Sequence, residues 1–210
     1  LFFDFDVTDD GEYRSGKKHA DAWARDMSRL LVRTRKVARF LLKANDPDCW
    51  QVVLSGHKGV HLDLVFPAVS PSNGDFQQFR NGMGSYADSV VEYLKDATGL
   101  ADLDDWVDVS SADLGRLRRV PNTKHLGASQ SFGEDRFCVP VTLKELAEIG
   151  PADYIELTRS RRPVTDAMRA IPSEKAGEVL TQRVRNAETT ARSTSSGSTV
   201  NRARIDAYEK

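Results

Sequence analysis

The apolar positions of the chain fall into blocks with two different periods. Residues 1–7, Leu-Phe-Phe-Asp-Phe-Asp-Val, alternate after Phe3 and predict a strand with Asp4 and Asp6 on one face. Trp23, Met27, Leu30, Thr34, Val37 and Leu41 recur at intervals of three and four, which predicts a long helix over 20–43 with one mostly apolar stripe. Asn45-Asp46-Pro47-Asp48 ends it. Trp50 to Leu54 reads as a short buried strand, Ser55 to Gly59 as a polar turn, and Val60 to Phe66 as a second alternating strand, making a hairpin-like pair. Pro67 to Gly74 is a loop. Residues 76–97 predict a helix with Phe79, Met83, Tyr86, Val90, Tyr93 and Leu94 turned inward. Short strands are expected at 106–110, 117–121 and 137–141, and Thr142-x-x-Glu145 then gives the capping-box pattern of a helix start.

Helices and strands mix without strict alternation, so the expected fold class is α+β with a mainly antiparallel sheet. With 210 residues, 40% hydrophobic and 29% charged, the chain suits one domain with a packed core. After about residue 157 the character changes. Residues 173–192 carry only a thin apolar stripe, and 193–199 are Ser, Thr and Gly alone, a linker composition. The expected organisation is a domain over 1–156 and a basic tail over 157–210. Apolar runs are a few residues long, far short of the roughly 20 that a bilayer span needs. No charged-then-apolar leader opens the chain. Cys49 and Cys138 lie 89 apart, which excludes a disulfide framework or a CxxC zinc site and fits a reducing, cytoplasmic interior. Leu1 already sits in a strand-like run, so the expectation is that an upstream segment has been cut away.

A formal net charge of −1 conceals strong blocks. Residues 14–43 hold ten Lys or Arg against two Asp, 75–113 hold two basic residues against nine acids, and 114–130 hold four basic residues and no acid. Such alternation predicts separate acidic and basic faces, and a basic block can track phosphates.

Three segments carry chemistry. In Phe3-Asp4-Phe5-Asp6 the two carboxylates lie on one side of a strand, separated by roughly 7 Å. Like charges so placed are costly unless a cation sits between them, and hard oxygen donors suit Mg²⁺ or Mn²⁺. In Ser55-Gly56-His57-Lys58-Gly59-Val60-His61 the glycines let backbone amides approach a phosphate; Ser55 adds a hydroxyl and Lys58 a charge. His61 alternates with Asp63 on the same side of the second strand. In Asp113-Leu-Gly-Arg116-Leu-Arg118-Arg119-Val-Pro121-Asn122-Thr123-Lys124-His125 an acid precedes a dense basic run whose arginine forks suit phosphate.

In this order the three segments resemble the catalytic motifs of the archaeo-eukaryotic primase superfamily: a DxD on a strand, an SGxxGxH segment, and a third acid followed by R-L-x-R-x-P. The resemblance covers about residues 1–150. It departs from the family where an α/β unit normally precedes the DxD, where many members carry a zinc knuckle, and where Leu126-Gly127-Ala128-Ser129 stands in place of Lys-Thr-Gly.

The resemblance implies a primase-polymerase core with an RRM-like sheet flanked by helices. It implies template-directed nucleotidyl transfer, making or extending a primer on single-stranded DNA from nucleoside triphosphates. Asp4, Asp6 and Asp113 would hold two Mg²⁺ or Mn²⁺ ions, with no structural zinc. Ser55, Gly56, Lys58, Gly59 and His61 would hold the triphosphate, with Arg116 and Arg119 stabilising phosphate charge and Lys124 assisting. Arg25, Arg29 and Arg33 on the first helix are candidate template contacts. A primase large subunit or a fused helicase is the implied partner. Two other readings stand beside this one. Asp4-Phe5-Asp6-Val7-Thr8 also fits the nucleophile motif of haloacid dehalogenase-type phosphatases, which need parallel strands. A primase-like module that binds DNA without turnover is the other.

Overall fold

Period two governs the first strand. Phe3, Phe5 and Val7 are buried in the main apolar core, while Asp4 and Asp6 between them fall on the other face and stay partly exposed. The structure of the chain, a computed structural model, describes residues 2–7, 20–44, 46–68, 76–108, 119–179, 181–182 and 185–186. Its elements are β1 (Phe2–Asp6), α1 (Ala20–Ala44), β2 (Trp50–Leu54), β3 (Gly59–Leu64), α2 (Phe76–Thr98), β4 (Val107–Asp108), α3 (Leu126–Phe132), β5 (Val139–Val141), α4 (Leu143–Glu148) and α5 (Pro151–Thr158).

The fold is α+β, as expected. Five strands make one open sheet in the order β4-β1-β3-β2-β5, and every neighbouring pair is antiparallel. The first six elements run β-α-β-β-α-β, with β3 between β1 and β2, and β1 between β3 and β4. Two β-α-β units are thereby interleaved in one sheet.

One face of the sheet carries the core. Phe3 and Phe5, Val60 and Leu62, Trp50, Val52 and Leu54, Val107, and Val139 and Val141 meet Trp23, Met27, Leu30, Leu31, Val37 and Ala38 of α1 there. Val91 and Leu94 of α2, Leu146 of α4 and Tyr154 of α5 complete it. Thr34 interrupts the apolar stripe of α1 at no unpaired cost, because its hydroxyl donates to the Leu30 carbonyl at 2.9 Å. Full burial of a side chain such as Phe5 contributes about 1.5–3 kcal/mol.

Several expectations change in detail. The second hairpin strand ends at Leu64 rather than Phe66. Tyr93 is 61% exposed rather than inward, its ring edge-on to Phe40 at 5.7 Å. Of the strand expected over 117–121, residues 119–121 are not strand; Pro121 cannot donate to a ladder, and Asn122 adopts a left-handed φ of 65°. Of the strand expected over 106–110, Val107 and Asp108 form β4, and 109–110 lie outside the described residues. The short helices α3 and α5 were not foreseen, because one or two turns give periodicity too little length to register.

Residue 156 lies inside α5, and the described chain after it is tied back to the domain as far as Ser173. Asn122 exchanges two hydrogen bonds with the backbone of Arg162, and the amides of Ile171 and Ser173 donate to the carbonyls of Asp48 and Val65. Residues 174–179 are helical, within the helix expected over 173–192.

Truncation separates core from surface directly. Phe5→Ala is expected to cost about 3–5 kcal/mol in urea unfolding, whereas Val32→Ala, at a site 56% exposed, is expected to change stability by no more than about 0.5 kcal/mol.

Candidate functional site

The side of the sheet turned away from the main core is polar at β1, β3 and β4. Asp4 pairs across to His61 on one side and to Asp108 on the other. Asp6 pairs with Gly59, and Phe2 with Asp63. Because cross-strand partners share a face, one register brings Asp4, His61 and Asp108 side by side. The His61 Nε2 lies 3.4 Å from Asp4 Oδ1, and the Phe2 ring packs edge-on against His61 at 5.2 Å. Lys58 places its Nζ 3.1 Å from Asp6 Oδ2 and donates to the Val7 carbonyl at 2.9 Å. Each carboxylate of the Asp4-Phe5-Asp6 pair therefore has a basic partner from the β2–β3 hairpin. Their side chains remain 28% and 40% exposed, so solvent and solutes reach both.

The hairpin turn is held from inside. Gly56 has a φ of +87°, and a Cβ there would stand 2.5 Å from the Phe137 carbonyl oxygen. A Cβ on Gly59 would stand 2.7 Å from the Phe5 carbonyl oxygen and 2.9 Å from Asp6 Oδ1, so this glycine lets β1 approach the turn. The Ser55 hydroxyl accepts from the amides of His57 and Gly59 at 3.3 and 3.0 Å. The buried Tyr154 hydroxyl accepts from the Gly56 amide at 3.1 Å, donates to the Gly59 carbonyl at 2.9 Å and meets Ser55 Oγ at 3.2 Å. The groups expected to cradle a phosphate have partners within the protein. The Ser55 hydroxyl and the amides of Gly56, His57 and Gly59 are engaged within the protein, which leaves Lys58 as the charged group the turn presents. Burial holds the Tyr154 phenol well above its ordinary pKa, so it stays neutral.

Arg119 is exposed and lies next to this face. The buried Cys138 thiol contacts the Arg119 carbonyl at 3.9 Å. Burial pushes that thiol up to about 11, with Arg119 pulling it down and Asp4 pushing it up, so both charges act at one point. A thiol so placed is no nucleophile at neutral pH. Lys124 is half-exposed and sits 2.5 Å from Asp135. His125 caps α3, its Nδ1 accepting from the Ala128 amide at 3.0 Å, with its ring 5.4 Å from that of His57. Burial, then Arg119 and His57, lower its pKa to about 4.

The basic helix lies on the other side. α1 packs against the core face, opposite Asp4 and Asp6, and Arg25 and Arg29 point to solvent with Asp26 within 3.5 Å of each. Arg33 is a packing residue: its guanidinium forks onto Asp102 and stacks on Trp106. Asp113 and Arg116 lie outside the described residues. Asp108 and Tyr154 were not singled out from sequence. The alternation of Val107 and Asp108 at a strand end was the available signal for the first; nothing local marked the second.

Hard carboxylate oxygens at Asp4, Asp6 and Asp108 match Mg²⁺ or Mn²⁺ in donor type. Among the described residues no three His, Cys, Asp or Glu side chains close on one point as a metal cage. Magnesium sites in phosphoryl chemistry commonly use one or two carboxylates, with waters and substrate phosphates supplying the rest. No helix among the described residues is long and apolar enough to cross a membrane. The chain matches no protein-family model, no curated protein and no solved structure.

Two measurements follow from this geometry. Tyr154→Phe leaves the buried Gly56 amide without its acceptor and is expected to cost about 1–3 kcal/mol in denaturant unfolding. His125 binds its proton more weakly folded than unfolded, so the unfolded chain takes up more protons between its ordinary value near 6.5 and about 4. Stability is therefore expected to fall as pH drops through that window. His125→Asn, which keeps a capping side chain but does not titrate, is expected to lose less stability there when unfolding is followed against pH.

Proposed function

We propose that the protein transfers nucleotidyl groups on a DNA template, making or extending short primers with divalent metal. One observation carries the reading. The β1 register sets Asp4 between His61 and Asp108 on an accessible sheet face, with Asp6 beside Lys58 of the glycine turn. The β-α-β-β-α-β order with antiparallel pairing agrees with the RRM-like core that the motif resemblance implies.

In this proposal Asp4, Asp6 and Asp108 hold the metal ions. Among the described residues Asp108 is the acid in register with Asp4, and it stands third here; Asp113, outside the described residues, enters on the resemblance alone. The bound ions would lower the pKa of the primer 3′-hydroxyl and neutralise charge on the triphosphate. The chain's own residues position the reactants. Lys58, an ammonium at the end of a flexible stem, exchanges Asp6 for a phosphate oxygen. Arg119, exposed near Cys138, offers a fork to the same phosphates. His61 donates from Nε2, toward Asp4 or toward phosphate. Arg116 enters on the resemblance alone. Positioning and electrostatics of this kind are what phosphoryl-type transfer asks of a protein.

The fold speaks against the phosphatase reading, since that family sets its motifs on parallel strands and every described strand pair is antiparallel. A DNA-binding module without turnover remains the second reading. The carboxylates Asp4 and Asp6, accessible and charge-balanced, speak for turnover instead.

The deciding assay offers single-stranded DNA, labelled nucleotides and Mn²⁺ or Mg²⁺ to the full chain, to Asp4→Ala/Asp6→Ala and to Asp108→Asn. Short products are expected from the unaltered chain and none from either variant. Metal-dependent nucleotide binding without product would sink turnover by this chain alone, and nucleotide binding that ignores metal would favour the binding module.

A further inference from the structure

Among the described residues, the strand that brings Asp108 to Asp4 comprises Val107 and Asp108 and has β1 as its only strand neighbour. Its register sets two carboxylates directly opposite each other, an arrangement that opposes pairing. Burial of Val107 in the core holds one face of the strand, and side-chain contacts tie the segment that leads into it.

The brace comes from α1. Arg33 is anchored one turn from Leu30 and Leu31 and beside Thr34, all buried against the sheet. Its guanidinium donates through Nε to Asp102 Oδ1 at 3.3 Å and through Nη2 to Asp102 Oδ2. Its Cζ lies 4.4 Å from the Trp106 ring centroid. Trp106 Nε1 donates to Asp102 Oδ2 at 3.2 Å, closing a triangle of three side chains. The backbone continues the line: the Trp106 carbonyl accepts the Asp6 amide at 2.9 Å, and Val107 and Asp108 follow. Leu103 is fully buried beneath this segment, and Lys95 of α2 adds a tie to Asp104 at 2.6 Å. The Trp106 amide donates to the Leu103 carbonyl at 3.0 Å, and the Arg33 triangle is the side-chain tie that reaches Trp106, the residue whose carbonyl begins the β1–β4 contact.

We propose that Arg33 is a positioning residue for the site. Its fork on Asp102 and its stack on Trp106 hold β4 in the register that sets Asp108 beside Asp4. The inference rests on the reading of Asp108 as a metal-binding carboxylate, but its structural half can be tested without metal. It also separates Arg33 from Arg25 and Arg29, the other two arginines expected to meet a template: those two face solvent, and Arg33 is held at the sheet edge.

The experiment is a double-mutant cycle on the full chain, titrated with Mn²⁺ alone and read by the electron paramagnetic resonance signal of the free ion. Arg33→Met and Asp108→Asn are each expected to weaken Mn²⁺ binding roughly tenfold or more, as loss of a supporting or ligating group does. The double variant is expected to bind no more weakly than Asp108→Asn, because Arg33 acts through Asp108. A purely structural role would lower stability without this coupling, and additive losses or an unchanged Arg33→Met would overturn the proposal. In parallel, hydrogen exchange at the Asp6 amide reads the docking of Trp106 directly. Arg33→Met is expected to lose protection there while β3 keeps its own, and unchanged Asp6 protection would overturn the positioning role. If neither the unaltered chain nor Asp108→Asn binds Mn²⁺, the metal reading falls, and Asp6 exchange still decides whether Arg33 holds β4. Should Arg33→Met fail to fold, Arg33→Lys, which keeps charge without the fork, is expected to shift both readouts the same way.

Discussion

β1 sits next to the middle of the sheet and can be read in one register only. Shifted by one residue against β3, it would turn Phe3 and Phe5 to solvent and drive Asp4 and Asp6 into the apolar core. The penalty for burying two uncompensated carboxylates is larger than any single packing term in the molecule. The same constraint that builds the core therefore assembles the polar face. Asp4 meets His61 and Asp108 because Phe5 must meet the core.

A face built this way concentrates negative charge, and the molecule answers locally. The hairpin that supplies the neighbouring strand also supplies Lys58 to Asp6 and His61 to Asp4. Neither partner removes the carboxylates from solvent. The basic side chains of α1 lie on the opposite layer and cannot neutralise this face without wrapping around the sheet edge. Arg33 is the exception in function rather than in place: it reaches the edge strand from behind, through Asp102 and Trp106.

The glycine turn shows a different economy. Its hydroxyl and amides look like ligand donors in the sequence, yet Ser55 Oγ takes the amides of His57 and Gly59, and Tyr154, 98 residues beyond Gly56, takes the Gly56 amide. A buried amide left unpaired is costly, so the polar groups of a tight, covered turn are first claimed by the protein itself. What remains for a ligand is the long side chain at the tip, Lys58, and the strand residue that follows, His61.

Local pattern alone determined much of this protein. Period-two alternation located β1 and the β2–β3 pair, and told that Asp4 shares a face with Asp6 and His61 with Asp63. Three-and-four spacing located α1 and α2 within a residue of their ends, and the Thr142–Glu145 box located α4. These signals are legible because each arises from residues near one another in the chain. Strand order is not of that kind. A strand was expected over 106–110, but its neighbour was not, so Asp108 joined Asp4 only when β4 was laid beside β1. Tyr154 closes the turn, and Arg33 braces the edge, across 98 and 69 residues of chain. Sequence decided which faces would be apolar and which charged. Tertiary structure decided which charges would stand together, because pairing between distant strands, and the contacts that hold an edge in place, depend on the whole core being packed first.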